Sequence, residues 1–107
     1  MAAIEIEVYR TEQFDEWLSS LRDSRAVAKI TARIDRLQHG NPGDSEPVGS
    51  GVSEMRIHYG PGYRVYYIQH GRFVVVLLCG GTKANQQDNI KTAITLADEV
   101  KDEFDGS

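Results

Sequence analysis

Cationic side chains recur at close spacing in the middle of this chain. Arg56 and His58 are two residues apart, Arg64 follows a Gly-Pro-Gly segment, and Lys83 comes directly after Gly80-Gly81-Thr82. Guanidinium groups bind phosphate oxygens through two parallel hydrogen bonds, and an ammonium group adds a movable point charge. Fixed cations that face a reacting phosphate are usually the largest single contribution to catalysis. The pattern therefore predicts a site for a phosphodiester substrate.

The alternation of side chains predicts that these cations share one surface. Two predicted strands, 53–59 and 63–69, flank a turn centred on Pro61. With that turn, the numbers of facing residues sum to 122, which places His58 opposite Arg64. Because successive side chains of a strand point to opposite faces, every second residue belongs to the same face. That face is predicted to contain Glu54, Arg56, His58, Arg64 and Tyr66, with Lys83 within reach.

Such a surface suits phosphoryl chemistry on RNA, in which the neighbouring 2′-hydroxyl group cleaves the phosphodiester. This reaction needs a base for the hydroxyl proton, an acid for the leaving 5′-oxygen and cations for the phosphorane charge. A nuclease that uses divalent ions would need clustered carboxylates. Glu54 and Asp88 are the only acids between positions 51 and 97, so we expect no metal ion and no other cofactor.

The candidate residues differ in how far each departs from an ordinary structural role. Arg64 lies among tyrosines and a valine, and Lys83 lies in a glycine-rich exit that would leave room for a ligand. His58 could equally be a solvated histidine, and Glu54 more often orients Arg56 through an ion pair than acts as a base. We predict catalytic roles for Arg64, Lys83, Arg56 and His58, and substrate contacts for Glu54, Tyr66 and Gln87.

The remaining sequence predicts the elements that hold this surface. Residues 4–9 alternate as a strand, residues 12–39 have the apolar periodicity of two helices, and residues 40–52 form a loop with four glycines and two prolines. Residues 72–80 form a strand that is apolar on both faces and therefore covered twice. A final helix runs from Gln86 to about Glu103. The order β-α-α-β-β-β-α predicts an α+β fold with a twisted, mostly antiparallel sheet.

Charge is unevenly distributed along the 107 residues. The net charge is −4, but residues 51–97 have a net charge of +3, between an N-terminal half at −3 and a tail from Asp98 onward at −4. A cationic segment in an acidic chain favours an anionic ligand, although scattered surface charge would give a similar window.

Length and composition limit the class of protein. We expect one domain over residues 1–107. The single cysteine, Cys79, excludes an internal disulfide and is predicted to be a core thiol. The sequence shows no secretory signal pattern, and its apolar runs are too short to cross a membrane, so we expect a cytoplasmic protein with no membrane partner.

Three segments together form a fairly specific pattern. They are Gly51-Val52-Ser53-Glu54-Met55-Arg56, then Gly60-Pro61-Gly62-Tyr63-Arg64-Val65-Tyr66-Tyr67, and then Gly80-Gly81-Thr82-Lys83 with Gln87, Asp88 and Ile90. This pattern resembles the RelE/ParE superfamily of small toxins, in particular its addiction-module killer proteins, the HigB- and RelE-like branch. In these families an arginine after Glu-Leu or Glu-Met, the arginine of Tyr-Arg-Val and a lysine after the last strand recur as functional cations. The corresponding residues here are Arg56, Arg64 and Lys83.

The resemblance implies a RelE-like fold and the toxin of a type II toxin–antitoxin module, a ribosome-dependent mRNA endoribonuclease that inhibits translation. The implied partners are a cognate antitoxin, such as a small helix-turn-helix protein, and the ribosome with its mRNA. Two alternatives stay open: a ParE-like inhibitor of DNA gyrase, and a non-catalytic RNA- or protein-binding domain. The general acid and base also stay open, because the final helix lacks the tyrosine or histidine that the best-characterised nucleases place there. His58 or Lys83 could substitute.

Overall fold

The computed structural model of the chain describes residues 5–105, with side chains for residues 5–103. Its five-stranded sheet has the order β1-β5-β4-β3-β2, in which β1 and β5 run parallel and the other neighbours run antiparallel. This confirms the predicted α+β fold with a mostly antiparallel sheet. The elements are β1 (Glu7–Arg10), α1 (Glu12–Ser20), α2 (Ser24–Gln38), β2 (Ser45–Gly49), β3 (Val52–Ile57), β4 (Tyr63–His70), β5 (Val74–Thr82), a 3-10 turn (Lys83–Asn85) and α3 (Gln86–Asp105).

The strand β2 differs from the sequence prediction, which assigned residues 40–52 to a loop. It pairs antiparallel with β3 at the edge of the sheet, with a register shift between Pro47 and Gly49. Pro47 has no N–H group, and an edge strand tolerates this because one side of it needs no partner. Ser50 then adopts a left-handed conformation with φ of 55° in the turn to β3. The predicted element order therefore lacked one strand.

The two N-terminal helices pack on one face of the sheet. Thr11 caps α1 by accepting the Phe14 N–H at 3.0 Å, and Asp23 caps α2 by accepting the N–H groups of Arg25 and Ala26. Phe14 and the Ala26 methyl are fully buried. The helices thus cover the strands that hold the candidate site.

The strand β5 is covered on both faces, as its double apolar pattern predicts. Val75 and Leu77 belong to the core under α1 and α2, whereas Val76 and Leu78 belong to the core under α3. Cys79 joins the second core, where burial raises the pKa of its thiol to about 11. The thiol is therefore neutral near pH 7 and is a packing group.

The N-terminal prediction is tested only in part, because Ile4 lies outside the described residues and β1 begins at Glu7. Within residues 5–105, no helix combines the length and the apolar character that a membrane span requires.

Candidate active site

The register of the β3–β4 hairpin decides which predicted site residues meet. The numbers of facing residues sum to 120, so that Arg56 faces Arg64 and Glu54 faces Tyr66. The predicted pairing of His58 with Arg64 is wrong, because β3 ends at Ile57 and His58 already belongs to the turn. A shift of two in this sum preserves the alternation of faces, so the arginines share one face as the alternation predicts.

A longer turn than predicted causes the register shift. The N–H of Gly62 donates to the Tyr59 carbonyl at 3.1 Å, and the Tyr59 N–H donates to the Ile57 carbonyl at 2.9 Å. Gly60 and Gly62 both have positive φ, at 57° and 82°, a conformation that glycine adopts without strain. The turn therefore includes residues 58–62, two more than the Gly-Pro-Gly segment alone.

An open cavity of about 650 Å³ lies over this end of the hairpin. All four predicted catalytic residues line it, together with the turn itself and one glutamine of α3. The lining side chains that concern the site are Arg56, His58, Tyr59, Arg64, Lys83 and Gln86.

Arg64 has the least compensated charge in this cavity. The residue is 8% exposed, and its buried Nε has no hydrogen-bond partner. Within the described part of the chain it forms no ion pair. A buried donor without a partner costs about 1–3 kcal/mol, so such groups are rare and call for an explanation. The arrangement favours an anionic ligand at Arg64.

Arg56 lies directly across the hairpin but has a different environment. Its Nε is 3.2 Å from Oε1 of Glu54, its Nη1 is 3.6 Å from Oδ1 of Asp44, and its Nη2 pairs with Glu46. Three carboxylates therefore surround one guanidinium, whose side chain is 26% exposed. Much of the Arg56 charge is neutralised by the protein, and its guanidinium is fixed in position.

Glu54 organises the floor of the cavity from below. It is fully buried, and while Oε1 accepts from Arg56, Oε2 accepts from the Tyr66 hydroxyl and from Gln86 Nε2, each at 2.9 Å. Burial and this carboxylate raise the pKa of Tyr66, so its hydroxyl stays protonated as a donor. Neither Glu54 nor Tyr66 lines the cavity, although substrate contacts were predicted for both.

Gln86, not the predicted Gln87, reaches the cavity. Gln86 is the first residue of α3 and is half-buried against Glu54, whereas Gln87 is exposed and outside the lining. The sequence contains adjacent glutamines, and only the direction of the first helical turn distinguishes them. Sequence reasoning missed Gln86 for that reason.

His58 and Lys83 form the exposed rim. His58 is 72% exposed, and its Nε2 lies 2.5 Å from Oδ2 of Asp44. The hydrogen bond from His58, assisted by the charge of Arg56, lowers the pKa of Asp44. The Lys83 N–H donates to the Gly62 carbonyl at 2.8 Å, which ties the end of β5 to the hairpin turn. Lys83 itself forms no ion pair within residues 5–105.

Gly80 and Gly81 serve close packing. A Cβ atom on Gly80 would overlap the Trp17 ring of α1, and one on Gly81 would overlap the amide of Asn89 in α3. The prediction that these glycines leave room for a ligand is therefore wrong. They instead allow two helices to approach β5 closely, just before Lys83.

Comparison with known proteins places the chain in a family. Residues 16–102 match the family described as "Phage derived protein Gp49-like (DUF891)". The chain belongs to this Gp49-like family. A Haemophilus influenzae protein described as uncharacterized is 50% identical over 95 residues, which are 89% of this chain and 96% of the relative. All cavity-lining residues fall within the matched range.

A solved structure shares the fold of this Gp49-like chain. It is a chain of the toxin–antitoxin complex RelBE2 from Mycobacterium tuberculosis, with a TM-score of 0.60 and 20% identity. The match covers 75% of this chain and 100% of that chain. The likeness confirms the predicted RelE-like fold.

Proposed function

We propose that this Gp49-like protein is the toxin of a type II toxin–antitoxin module and that it cleaves mRNA on the ribosome without a metal ion. The observation that carries the proposal is that Arg64, which forms no ion pair within the described residues, lines one open cavity together with Arg56 and Lys83. A phosphodiester supplies the anionic oxygens that such cavity-lining cations bind. The fold shared with a chain of the RelBE2 toxin–antitoxin complex supports the same conclusion.

In the proposed reaction, Arg64 binds the non-bridging oxygens of the scissile phosphate and stabilises the charge of the phosphorane. The 2′-oxygen of the preceding nucleotide forms a bond to phosphorus, and the bond from phosphorus to the 5′-oxygen breaks. The products are a 2′,3′-cyclic phosphate and a free 5′-hydroxyl group. Lys83, which lines the same cavity, contributes a second positive charge that can move with the substrate.

Two proton transfers complete the reaction. The base must take the proton of the 2′-hydroxyl, and the acid must protonate the 5′-oxygen. Among the lining residues, the His58 imidazole has ring nitrogens that can accept or donate a proton, and the Lys83 ammonium group has protons to donate. These two residues are our candidates for the pair.

Glu54 and Tyr66 act through other residues in this mechanism. Glu54 fixes the Arg56 guanidinium and the Gln86 amide, and the Tyr66 hydroxyl donates to the same carboxylate. We assign both to positioning, because neither reaches the cavity.

The proposed partners are a cognate antitoxin, which would keep the toxin inactive, and the ribosome in the cytoplasm. The antitoxin proposal rests on the shared fold with a chain of RelBE2, which is a toxin–antitoxin complex. We include the ribosome among the proposed partners because the proposed substrate is mRNA that is being translated.

Controlled expression in a bacterial host tests the proposal against its rivals. We expect growth arrest together with new 5′-hydroxyl ends inside coding sequences, and no induction of a DNA-damage reporter. Arg64→Ala should abolish both effects, whereas Arg72→Ala, which removes an equal charge at the far end of the β4–β5 hairpin, should abolish neither. Intact mRNA with an induced damage reporter would instead identify a gyrase inhibitor. Intact mRNA without growth arrest would leave a binding domain.

A further inference from the structure

A second group of basic side chains lies along α2, next to the candidate active site. This helix has four basic residues and one acid, a net charge of +3, within an N-terminal half whose net charge is −3. Lys29, Arg33 and Arg36 follow one another at intervals of four and three residues. Side chains at this spacing lie on one helical face.

These three side chains line a cavity of about 280 Å³ between α2 and the end of β3. His58 lines this cavity and the active-site cavity alike. The Nζ of Lys29 lies 5.4 Å from the centre of the Tyr59 ring, which also lines the active-site cavity. The cationic surface therefore continues from the active site, past the residues at the end of β3, to α2.

One basic residue of this surface is engaged within the protein, and the other two have charges without an ion-pair partner among the described residues. Arg33 donates to the backbone carbonyls of Arg56 at 2.5 Å and Pro42 at 3.1 Å, and so holds the segment that leads into β2. Lys29 and Arg36 form no ion pair within the described residues. They are therefore the two side chains with which an anionic ligand could form ion pairs.

The nearby carboxylates do not neutralise these two charges. Asp44 already binds His58 and Arg56, and Asp23 accepts the Tyr59 hydroxyl at 3.0 Å. Asp35 is the single acid on α2 and is exposed. None of these carboxylates forms an ion pair with Lys29 or Arg36 within the described residues, so both charges remain unpaired beside the two cavities.

We propose that this α2 surface, formed by Lys29, Arg33, Arg36 and His58, binds the backbone phosphates of RNA beyond the scissile phosphate. The choice of RNA as the ligand rests on the proposed function. The surface is continuous with the active-site cavity, so one strand can occupy both. Its apolar lining is limited to Ala32 and Ile57, without the large buried anchors that protein interfaces use. Phosphate contacts of this kind fix the register of a strand and are independent of its sequence.

The test compares two double variants that remove the same charge. Lys29→Gln/Arg36→Gln removes the available cations of the α2 surface, and Arg72→Gln/Lys91→Gln removes one arginine and one lysine elsewhere. Binding is measured at several salt concentrations with a fully 2′-O-methylated 12-nucleotide RNA, which cannot be cleaved, and with purified ribosomes. Each phosphate contact to a single strand contributes about −0.7 to the slope of log K against log salt.

We expect the α2 variant to flatten this slope by about 1.4 and the control variant to leave it unchanged. If the slope is flattened with free RNA, the phosphates belong to mRNA. If it is flattened with ribosomes alone, they belong to ribosomal RNA. Either result upholds the proposal. If the double variant does not fold, each single variant should flatten the slope by about 0.7.

Unchanged slopes with both ligands would overturn the proposal. The outcome is separable from that of the proposed function, because the RNA used here is not cleaved. A flattened slope in a chain that cuts no mRNA would uphold RNA binding by α2 and overturn the nuclease proposal.

Discussion

Arg56 and Arg64 face each other across one strand pair, yet their surroundings differ. Three carboxylates surround Arg56, whereas Arg64 is 8% exposed and its Nε has no partner. Removing a charge from solvent costs free energy, and only paired charges offset that cost. The contacts of Arg56 therefore indicate a structural contribution to the site, whereas Arg64 is the arginine for which we propose a ligand.

Substitution by methionine should distinguish the two arginines by its effect on the free energy of unfolding. Methionine keeps the apolar stem and removes the charge. Arg64→Met should leave the free energy of unfolding unchanged or raise it, because an uncompensated buried cation is lost. Arg56→Met should lower it by about 1–3 kcal/mol, because the buried Glu54 loses a charged donor. Urea unfolding measures both values. Equal losses in the two variants would show that Arg64 has a structural partner.

At the scale of elements, the end of β5 determines where Lys83 lies. Trp17 of α1 packs over Gly80, and Asn89 of α3 packs over Gly81. Both helices thus pack closely against the strand directly before the lysine, and the Lys83 N–H donates to a carbonyl of the hairpin turn. The glycine pair fixes the position of Lys83 through packing.

A double-mutant cycle tests this packing. Gly81→Ala should destabilise the protein by about 1–3 kcal/mol, because the added methyl group overlaps the Asn89 side chain. Asn89→Ala removes that side chain, whose Nδ2 is itself without a partner, and should reduce the cost of Gly81→Ala. Thermal unfolding measures the loss of stability caused by Gly81→Ala in the unmodified chain and in the Asn89→Ala variant. An equal loss in the two would mean that backbone entropy or another contact is responsible.

The sequence predicted the elements whose patterns are local. Periodicity of 3.6 located α2, and a doubly apolar run located β5, because each pattern reflects burial along the element itself. The strand β2 was missed, since its pairing with β3 overrides the loop propensity of its proline and glycine. The predicted register of the hairpin was wrong by two in the sum of facing residue numbers. Alternation alone could not reveal this, because a turn of five residues and a turn of three leave the same side chains on each face.

The site was predictable in composition and less so in geometry. Alternation placed Arg56 and Arg64 on one face, but the burial of Glu54 depends on α3, which covers it from a distant part of the sequence. The basic surface of α2 was missed because the acids elsewhere in residues 1–50 mask it in a summed charge. Only the fold brings Lys29 close to Tyr59.

At the scale of the molecule, the helical layers leave one end of the sheet open. Helices α1 and α2 cover one face and α3 covers the other, and the cavity of the candidate active site lies beside the β3–β4 turn and the exit of β5. Cations converge there although the net charge of the chain is −4. The arrangement suits a protein that binds one extended anion at one end.

The most direct test is single-turnover cleavage of a labelled mRNA on purified programmed ribosomes. We expect the unmodified protein to cut the mRNA and to leave a 5′-hydroxyl end. Arg64→Ala should cut on the order of 10²-fold more slowly or worse, as for other preorganised donors, while Arg72→Ala cuts at the original rate. An Arg64→Ala variant that is folded and cuts at the original rate would contradict the role of Arg64. A folded, unmodified protein that leaves the mRNA intact would contradict the proposed function itself.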